Sequence, residues 1–191
     1  VSDGPFRLET LGGVVGCQVL DGGARVRVEM GRVSFHSADI GITGLPREVI
    51  DETIEAGGRR LVFCAATVGN PHCIVRREAV TEAEARELGP LLEHHPWFPR
   101  RTNVQFMQVL DRHRIRIEIW ERGAGYTLAS GSSASACAGV ARRLGLCDAE
   151  IAVHMPGGVL NVNVADDWSI TQLGPVTGVA QGVVDRDILN D

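Results

Sequence analysis

Residues 121–136 combine a charged pair, glycines and a group of serines in one short segment. Glu121 and Arg122 open the segment, and Ser130, Gly131 and Ser132 lie further along it. Carboxylate, guanidinium and hydroxyl groups can together bind and orient a small charged molecule. Glycine lets backbone N–H groups approach a bound anion closely. The segment therefore predicts a site for a carboxylate or a phosphate.

The flanking residues predict the elements that position this segment. Residues 114–120 alternate between charged and apolar side chains, which is typical of a half-buried strand. Residues 134–146 are rich in Ala, Val, Leu and Arg, which favours a helix. Because the unpaired N–H groups of a helix N-terminus carry partial positive charge, an anion site is expected there. An ordinary N-cap by Ser130 or Ser132 would explain the serines without a ligand.

Elsewhere the pattern predicts mostly strands. A helix is predicted over 81–93, where Thr81 and Glu84 have the spacing of a capping box. Residues 104–110 and 114–120 predict a hairpin. Other strands are predicted at 60–67, 73–76, 150–154, 159–164, 169–173 and 176–184. The mixture, with many antiparallel pairs, indicates an α+β fold.

Composition limits the function classes. The chain has 191 residues, enough for one or two small domains, and a net charge of −5, which gives no reason to expect nucleic acid. No apolar run is long enough to cross a membrane. The five cysteines contain no Cys-x-x-Cys pair, so reduced thiols in a cytoplasmic protein are expected rather than a disulfide framework or a metal site.

Three motifs, in this order, resemble those of the diaminopimelate epimerase family. Residues 69–73 read Gly-Asn-Pro-His-Cys, residues 101–106 read Arg-Thr-Asn-Val-Gln-Phe, and residues 121–127 read Glu-Arg-Gly-Ala-Gly-Tyr-Thr. Pro156-Gly157-Gly158 and Gly174-Pro175 fit the family's closing strands. The resemblance covers residues 6–184, and three ordered motifs make it specific for the family.

The resemblance implies two similar halves, each a barrel of mostly antiparallel strands around a central helix. Residues 1–40 would be a remnant of the first half, 41–172 the second half, and 173–191 a strand returning to the first half. The first half's Cys-Gly-Asn-Gly segment is not among these residues. The incomplete first half is expected to be completed by a missing segment, a second polypeptide or a second copy.

The resemblance also implies the chemistry. The family epimerises amino acids without a cofactor or a metal, converting LL- to meso-diaminopimelate for lysine and the cell wall, with two thiols facing each other across the α-carbon. Carried onto this sequence, the catalytic positions are Ser130, His72 and Glu121, and the substrate-binding positions are Asn70, Asn103, Glu121, Arg122, Gly131 and Ser132.

Each assignment has a plainer structural alternative. His72 would also serve as a structural histidine in a turn, and Asn70 and Asn103 as caps of a turn and a strand end. Glu121 and Arg122 would also form an exposed ion pair at the end of a strand, which is common.

Two departures from the family pattern bear on function. Ser130 stands where the family has its catalytic cysteine, and a serine hydroxyl has too high a pKa to act as the base on its own. Tyr126 stands where the family usually has Glu, which predicts a changed distal pocket. Two functions stay open: an epimerase or isomerase with altered chemistry, or a non-catalytic or split-partner protein that binds an amino acid.

Overall fold

The computed structural model describes residues 3–10, 13–183 and 185. The remaining residues, which include parts of the predicted 1–40 and 173–191 segments and residue 184 of the last predicted strand, lie outside the described chain. Within it, the strands are β1 Gly4–Thr10, β2 Gly13–Leu20, β3 Arg25–Arg32, β4 Glu52–Ala56, β5 Arg59–Thr67, β6 Pro71–Arg76, β7 Asn103–Asp111, β8 Arg114–Glu121, β9 Gly125–Thr127, β10 Glu150–Met155, β11 Gly158–Val164 and β12 Ser169–Pro175. The helices are α1 Ser37–Ile40, α2 Glu82–Glu93 and α3 Gly131–Arg143, with a 3-10 turn at Asp21–Gly23.

The strands form one sheet in the order β1-β2-β3-β12-β11-β10-β8-β7-β6-β5-β4, and β9 pairs with β8. Most neighbours are antiparallel, whereas β6–β7 and β8–β10 are parallel. The chain after β3 closes a barrel, because Val33 donates to the Trp168 carbonyl beside β12 while Ser34 exchanges two backbone hydrogen bonds with Thr67 of β5. The predicted α+β class, with strands around a central helix, is confirmed.

Helix α3 runs through the middle of this barrel. Its residues 133–141 are all buried, and they pack against inward side chains of the strands, such as Ile74, Ile117 and Val162. Small side chains let the strands close tightly around it: a Cβ on Gly139 would lie 3.1 Å from a methyl carbon of Val33. The sheet can therefore approach α3 on all sides.

A second core lies on the outer face of strands β4–β7, beneath α2. Phe63, Val75 and Phe106 contribute to it, and each alternates along its strand with a residue that faces α3. The predicted N-cap of α2 is confirmed, because the Thr81 hydroxyl accepts a hydrogen bond from the Glu84 amide at 3.2 Å. This two-faced packing decides which side chains can reach the end of α3.

Two predicted boundaries differ from the structure. Helix α3 begins at Gly131 rather than at residue 134, because Ser130 caps it and the following serines form its first turn despite their modest helix propensity. The strand predicted at 176–184 is wrong over its described part: after Val176 donates to the Ala24 carbonyl, residues 177–183 have no regular structure. The predicted division after residue 172 falls inside β12 and stays a prediction.

We predict that Gly89→Ala destabilises the fold. A methyl group on Gly89 of α2 would lie 2.5 Å from the Trp120 ring, and neither element can move away without disturbing the second core. Overpacking of this kind costs about 2 kcal/mol, more than the helix propensity that alanine adds. Chemical denaturation would measure the loss; Gly178→Ala, where a methyl group meets nothing within 4 Å, should leave the unfolding free energy unchanged.

Candidate active site at the N-terminus of α3

Three strand ends meet at one edge of the barrel. His72 at the start of β6 pairs with Asn103 at the start of β7, and Val104 pairs with Trp120 near the end of β8. By strand alternation, His72, Asn103 and Glu121 lie on the same face of their strands as Ile74, Met107 and Ile119, which pack around α3. The structure therefore brings the three sequence motifs to the same end of the barrel as the first turn of α3.

The first turn of α3 has the geometry of an anion site. Ser130 is extended, with φ −156°, and its hydroxyl accepts a long hydrogen bond of 3.4 Å from the Ser133 amide. The first backbone hydrogen bond of α3 is donated by the Ala134 amide to the Ser130 carbonyl. The Gly131 and Ser132 amides lie before it, so they point out of the end of the helix. The Gln172 side chain lies close against Gly131, where a Cβ would be 2.8 Å from its amide nitrogen.

Asn103 links two of the motifs. Its side-chain nitrogen donates to the Pro71 carbonyl and its oxygen accepts from the Arg122 amide, each at 3.0 Å. Asn103 thus fixes the backbone around Asn70 relative to the Glu121–Arg122 turn, which agrees with the capping alternative. A direct contact between Asn103 and substrate stays a prediction.

Glu121 and Arg122 do not form the alternative surface ion pair. Both are described residues, and no ion pair joins them; the Arg122 guanidinium instead donates to the Arg100 carbonyl at 3.1 Å. The Arg122 charge also reaches the buried end of β6, because it contributes to lowering the pKa of His72. An exposed guanidinium is suited to a negative charge on a ligand.

His72 is completely buried between two side-chain amides. Its Nδ1 lies 3.3 Å from Gln105 Oε1 and its Nε2 lies 3.0 Å from Asn70 Oδ1. Burial, together with the Arg122 charge, lowers the pKa of His72 to about 4, so the imidazole is neutral at pH 7. Both ring nitrogens have partners, neither of which is Ser130, and a catalytic role for His72 stays a prediction.

This burial predicts a pH dependence of stability. The pKa of His72 is about 4 in the folded chain and 6.5 without the fold, so the unfolded state binds the proton first as the pH falls. The neutral, buried His72 therefore contributes to the free energy of unfolding in full above pH 6.5. This contribution, about 3 kcal/mol, is lost as the pH falls from 6.5 to about 4. We expect His72→Gln to remove this loss in denaturation curves at pH 7 and pH 4.5. His113→Gln, at a 69 % exposed side chain, should retain it.

A buried carboxylate behind the site holds the Glu121–Arg122 turn. Glu93, only 3 % exposed, accepts hydrogen bonds from Trp120 Nε1 at 2.8 Å, from the Gly123 amide at 3.0 Å and from Arg101 at 3.2 Å. Gly123 has φ +77°, a conformation that favours glycine. Glu93 and Asn103 thus hold consecutive amides of the turn, those of Gly123 and Arg122.

Tyr126 does not line this site, so the prediction of a changed distal pocket is wrong. Tyr126 pairs with Trp120 on the outer face of the sheet, where its hydroxyl donates to Glu118 at 2.6 Å and its ring lies 4.4 Å from the Arg86 guanidinium.

Two cysteines also do not line the candidate site. Cys137 is fully buried within α3 and Cys73 belongs to the second core, and burial raises the pKa of both thiols.

Three residues of the site were missed in the sequence. Gln105 and Ser133 bond to each other at 2.9 Å inside the core, and Glu93 clamps the turn. Gln105 could have been recognised in the sequence, because it is a polar residue between the apolar Val104 and Phe106 of a predicted strand. Glu93 could also have been recognised, because a carboxylate at the last residue of a helix is unfavourable with respect to the helix dipole and so needs another explanation. Ser133 had no such indication beyond its place in a serine cluster.

A groove of about 760 Å³ lies mainly on the other face of the sheet. Arg27, Asn161 and Thr171 line it, and Asn161 and Thr171 adjoin Val162 and Ile170, which face α3. None of the candidate site residues is among its lining residues. Volume alone therefore does not identify the site, whereas the motif residues converge at the α3 end.

No helix in the described part of the chain is long and apolar enough to cross a membrane.

Sequence comparison agrees with this geometry. The family model for diaminopimelate epimerase matches residues 64–179, which include all three motifs. The chain is 53 % identical over 188 residues to diaminopimelate epimerase 2 of Nostoc sp., covering 98 % of this chain and 66 % of that protein. It is 39 % identical over 185 residues to diaminopimelate epimerase of Moorella thermoacetica, covering 93 % of this chain and 65 % of the relative. The chain thus spans just under two thirds of the length of these relatives.

Solved structures share the fold at low sequence identity. A probable proline racemase from Agrobacterium radiobacter superposes with a TM-score of 0.68 at 18 % identity, over 96 % of this chain and 62 % of that one. A hydroxyproline epimerase from Agrobacterium vitis superposes with a TM-score of 0.65 at 17 % identity, over 91 % and 56 % of the two chains. The match of the family model over residues 64–179, with the three motifs at the α3 end, shows that this chain belongs to the diaminopimelate epimerase family.

Proposed function

We propose that the α3 end of the barrel binds an α-amino acid of the diaminopimelate type and that the protein exchanges the proton on its α-carbon without a cofactor. The observation that carries this proposal is the convergence of Asn70, the Glu121–Arg122 turn and the Gly131 and Ser132 amides at one end of α3. An α-carboxylate fits the helix amides, and a distal carboxylate fits Arg122. The five free thiols agree with a cytoplasmic setting.

Removal of an α-proton leaves a carbanion that must be stabilised through the adjacent carboxylate. The helix amides and the Ser132 hydroxyl would bind that carboxylate and stabilise the charge that develops on it. Ser130, half-buried at the N-cap, would donate a hydrogen bond but would not act as a base. We therefore propose a reaction with one base, in which the second thiol of the symmetric family mechanism is replaced by a hydrogen-bond donor.

The base would come from outside the described chain. Phe6 and Leu8 of β1 are 45 % and 52 % exposed, and by strand pairing they lie on the same side as Val15, Cys17 and the inner face of β12. This apolar stripe continues to Gln172, which lies against Gly131. A missing first-half segment, a second polypeptide or a second copy that covered the stripe would bring its own side chains to the α3 end.

The test is deuterium incorporation at the α-carbon of diaminopimelate, followed by proton NMR in D2O. The intact protein, with its mass and oligomeric state determined beside it, should incorporate deuterium, and Arg122→Ala should weaken the apparent affinity by at least tenfold. Ordinary binding of diaminopimelate with no incorporation would contradict the proposed reaction.

A non-catalytic protein that binds an amino acid, or completes a split complex, is the second candidate. The observation in its favour is Ser130: its hydroxyl only caps α3, and the nearest helix thiol, Cys137, is buried inside the barrel. In that case diaminopimelate would bind at the α3 end, and its α-proton would exchange no faster than in free solution.

A further inference from the structure

Five side chains form a continuous series of four hydrogen bonds beneath the α3 end, and the backbone between the neighbouring Ser132 and Ser133 closes the series into a loop. Asn70 Nδ2 lies 3.3 Å from Ser132 Oγ and its Oδ1 lies 3.0 Å from His72 Nε2. His72 Nδ1 lies 3.3 Å from Gln105 Oε1, and Gln105 Nε2 lies 2.9 Å from Ser133 Oγ. Both ends of this chain of contacts are hydroxyls on the first turn of α3. We call these five residues the hydroxyl–amide ring.

The neutral imidazole restricts the directions of the hydrogen bonds in the hydroxyl–amide ring. A neutral histidine has one N–H and one lone pair, so it can donate to one amide and must accept from the other. The orientations given above place the oxygens of both amides toward His72, which would need an N–H on both ring nitrogens. With the neutral ring one of the two amides is turned by half a rotation, so that one amide presents its oxygen to His72 and the other presents its NH2 group. Because each amide has both groups, reversing one amide reverses the other and moves the imidazole proton to the opposite nitrogen.

Two polarities of the ring result. In the first, His72 Nε2–H donates to Asn70, Asn70 donates to Ser132, and the Ser132 hydroxyl keeps its own hydrogen free. In the second, His72 Nδ1–H donates to Gln105, Asn70 donates to His72, and the Ser132 hydroxyl gives its hydrogen to Asn70. Ser132 is half-buried beside the Gly131 amide, so only the first polarity offers a hydroxyl donor to an anion there.

We propose that a carboxylate bound at the α3 N-terminus selects the first polarity and so fixes His72 in its Nε2–H tautomer, with Gln105 as the positioning residue that permits both tautomers in the free protein. Gln105 is completely buried and acts only through His72 and Asn70. The ligand half of this inference rests on the proposed function, whereas the control of the tautomer by Gln105 does not.

The test is 15N NMR of the histidine ring in the intact protein, with and without meso-diaminopimelate. The free protein should show both tautomers of His72, and the bound protein only Nε2–H. In Gln105→Met an N–H on Nδ1 would lose its acceptor, so the Nε2–H form should already be complete without ligand. Gln105→Leu serves the same purpose if the methionine variant does not fold. Ser132→Ala should weaken diaminopimelate binding about tenfold and leave the tautomer ratio unchanged on binding.

Two results would overturn the inference. A bound protein whose His72 carries its proton on Nδ1 would contradict ligand selection. A free protein with one tautomer that Gln105→Met leaves unchanged would contradict control by the ring. If diaminopimelate shifts no amide of α3, the proposed function and ligand selection both fail, and the comparison of the free proteins still decides the role of Gln105.

Discussion

Ser130→Cys should raise the rate of α-proton exchange on diaminopimelate by at least about a hundredfold. A thiol at the N-cap of α3 would lie beside the Gly131 and Ser132 amides, and a helix N-terminus lowers the pKa of a thiol toward neutrality. A well-placed base contributes about 100- to 10,000-fold to such a proton transfer. The measurement is deuterium incorporation in D2O between pH 6 and pH 9, where the rate should rise as the thiol ionises.

The matched control for this gain is Ala129→Cys, which places a thiol one residue before the cap, at an exposed position. It should show the wild-type rate, since its sulfur lacks the helix amides. Equal rates for the two thiol variants would mean that position 130 does not face the α-carbon. A stable Ser130→Cys protein that binds diaminopimelate without exchange would favour the non-catalytic alternative.

Glu93→Gln should destabilise the fold by about 2 kcal/mol and loosen the Glu121–Arg122 turn. A glutamine keeps the shape of the side chain, but its NH2 group would face either Trp120 Nε1 or the Gly123 amide, which now donate hydrogen bonds to Glu93. That donor would then be buried without an acceptor. We expect faster hydrogen exchange of the Gly123 and Arg122 amides, and a KM for diaminopimelate that rises about tenfold. Denaturation, amide exchange and initial rates measure the three effects.

Glu84→Gln is the control for Glu93. Glu84 lies on the same helix as Glu93, and its replacement removes a partly exposed ion pair with Arg77, a residue that precedes the helix; this pair contributes less than about 1 kcal/mol. The effect of Glu84→Gln on the turn amides and on KM should be absent. If both glutamine variants changed stability equally and neither changed the turn, Glu93 would be an ordinary packing residue.

The strand pattern predicted much of the barrel because most inward positions are apolar. The alternation over residues 114–120 identified β8, and the capping box identified α2. Three ordered motifs predicted that Asn70, Asn103 and the Glu121–Arg122 turn serve one site, and hydrogen bonds join the residues of these motifs. These features depend on local sequence, which is why they could be predicted.

Two of the features that were missed depend on long-range pairing. The direction of Tyr126 follows from its pairing with Trp120, and a shift of one residue in that pairing would have turned its ring toward α3. The contact between Gln105 and Ser133 joins a strand to a helix 28 residues away, and neither residue type indicates the other. The start of α3 was placed late because capping serines and Gly131 have low helix propensity.

The most direct test of the proposed site is an NMR titration of the backbone amides with meso-diaminopimelate. Saturable shifts of the Gly131, Ser132 and Arg122 amides, lost together in Arg122→Ala at the same ligand concentration, are the predicted result. Shifts confined to the groove on the other face of the sheet, at Arg27, Asn161 and Thr171, would contradict binding at the N-terminus of α3.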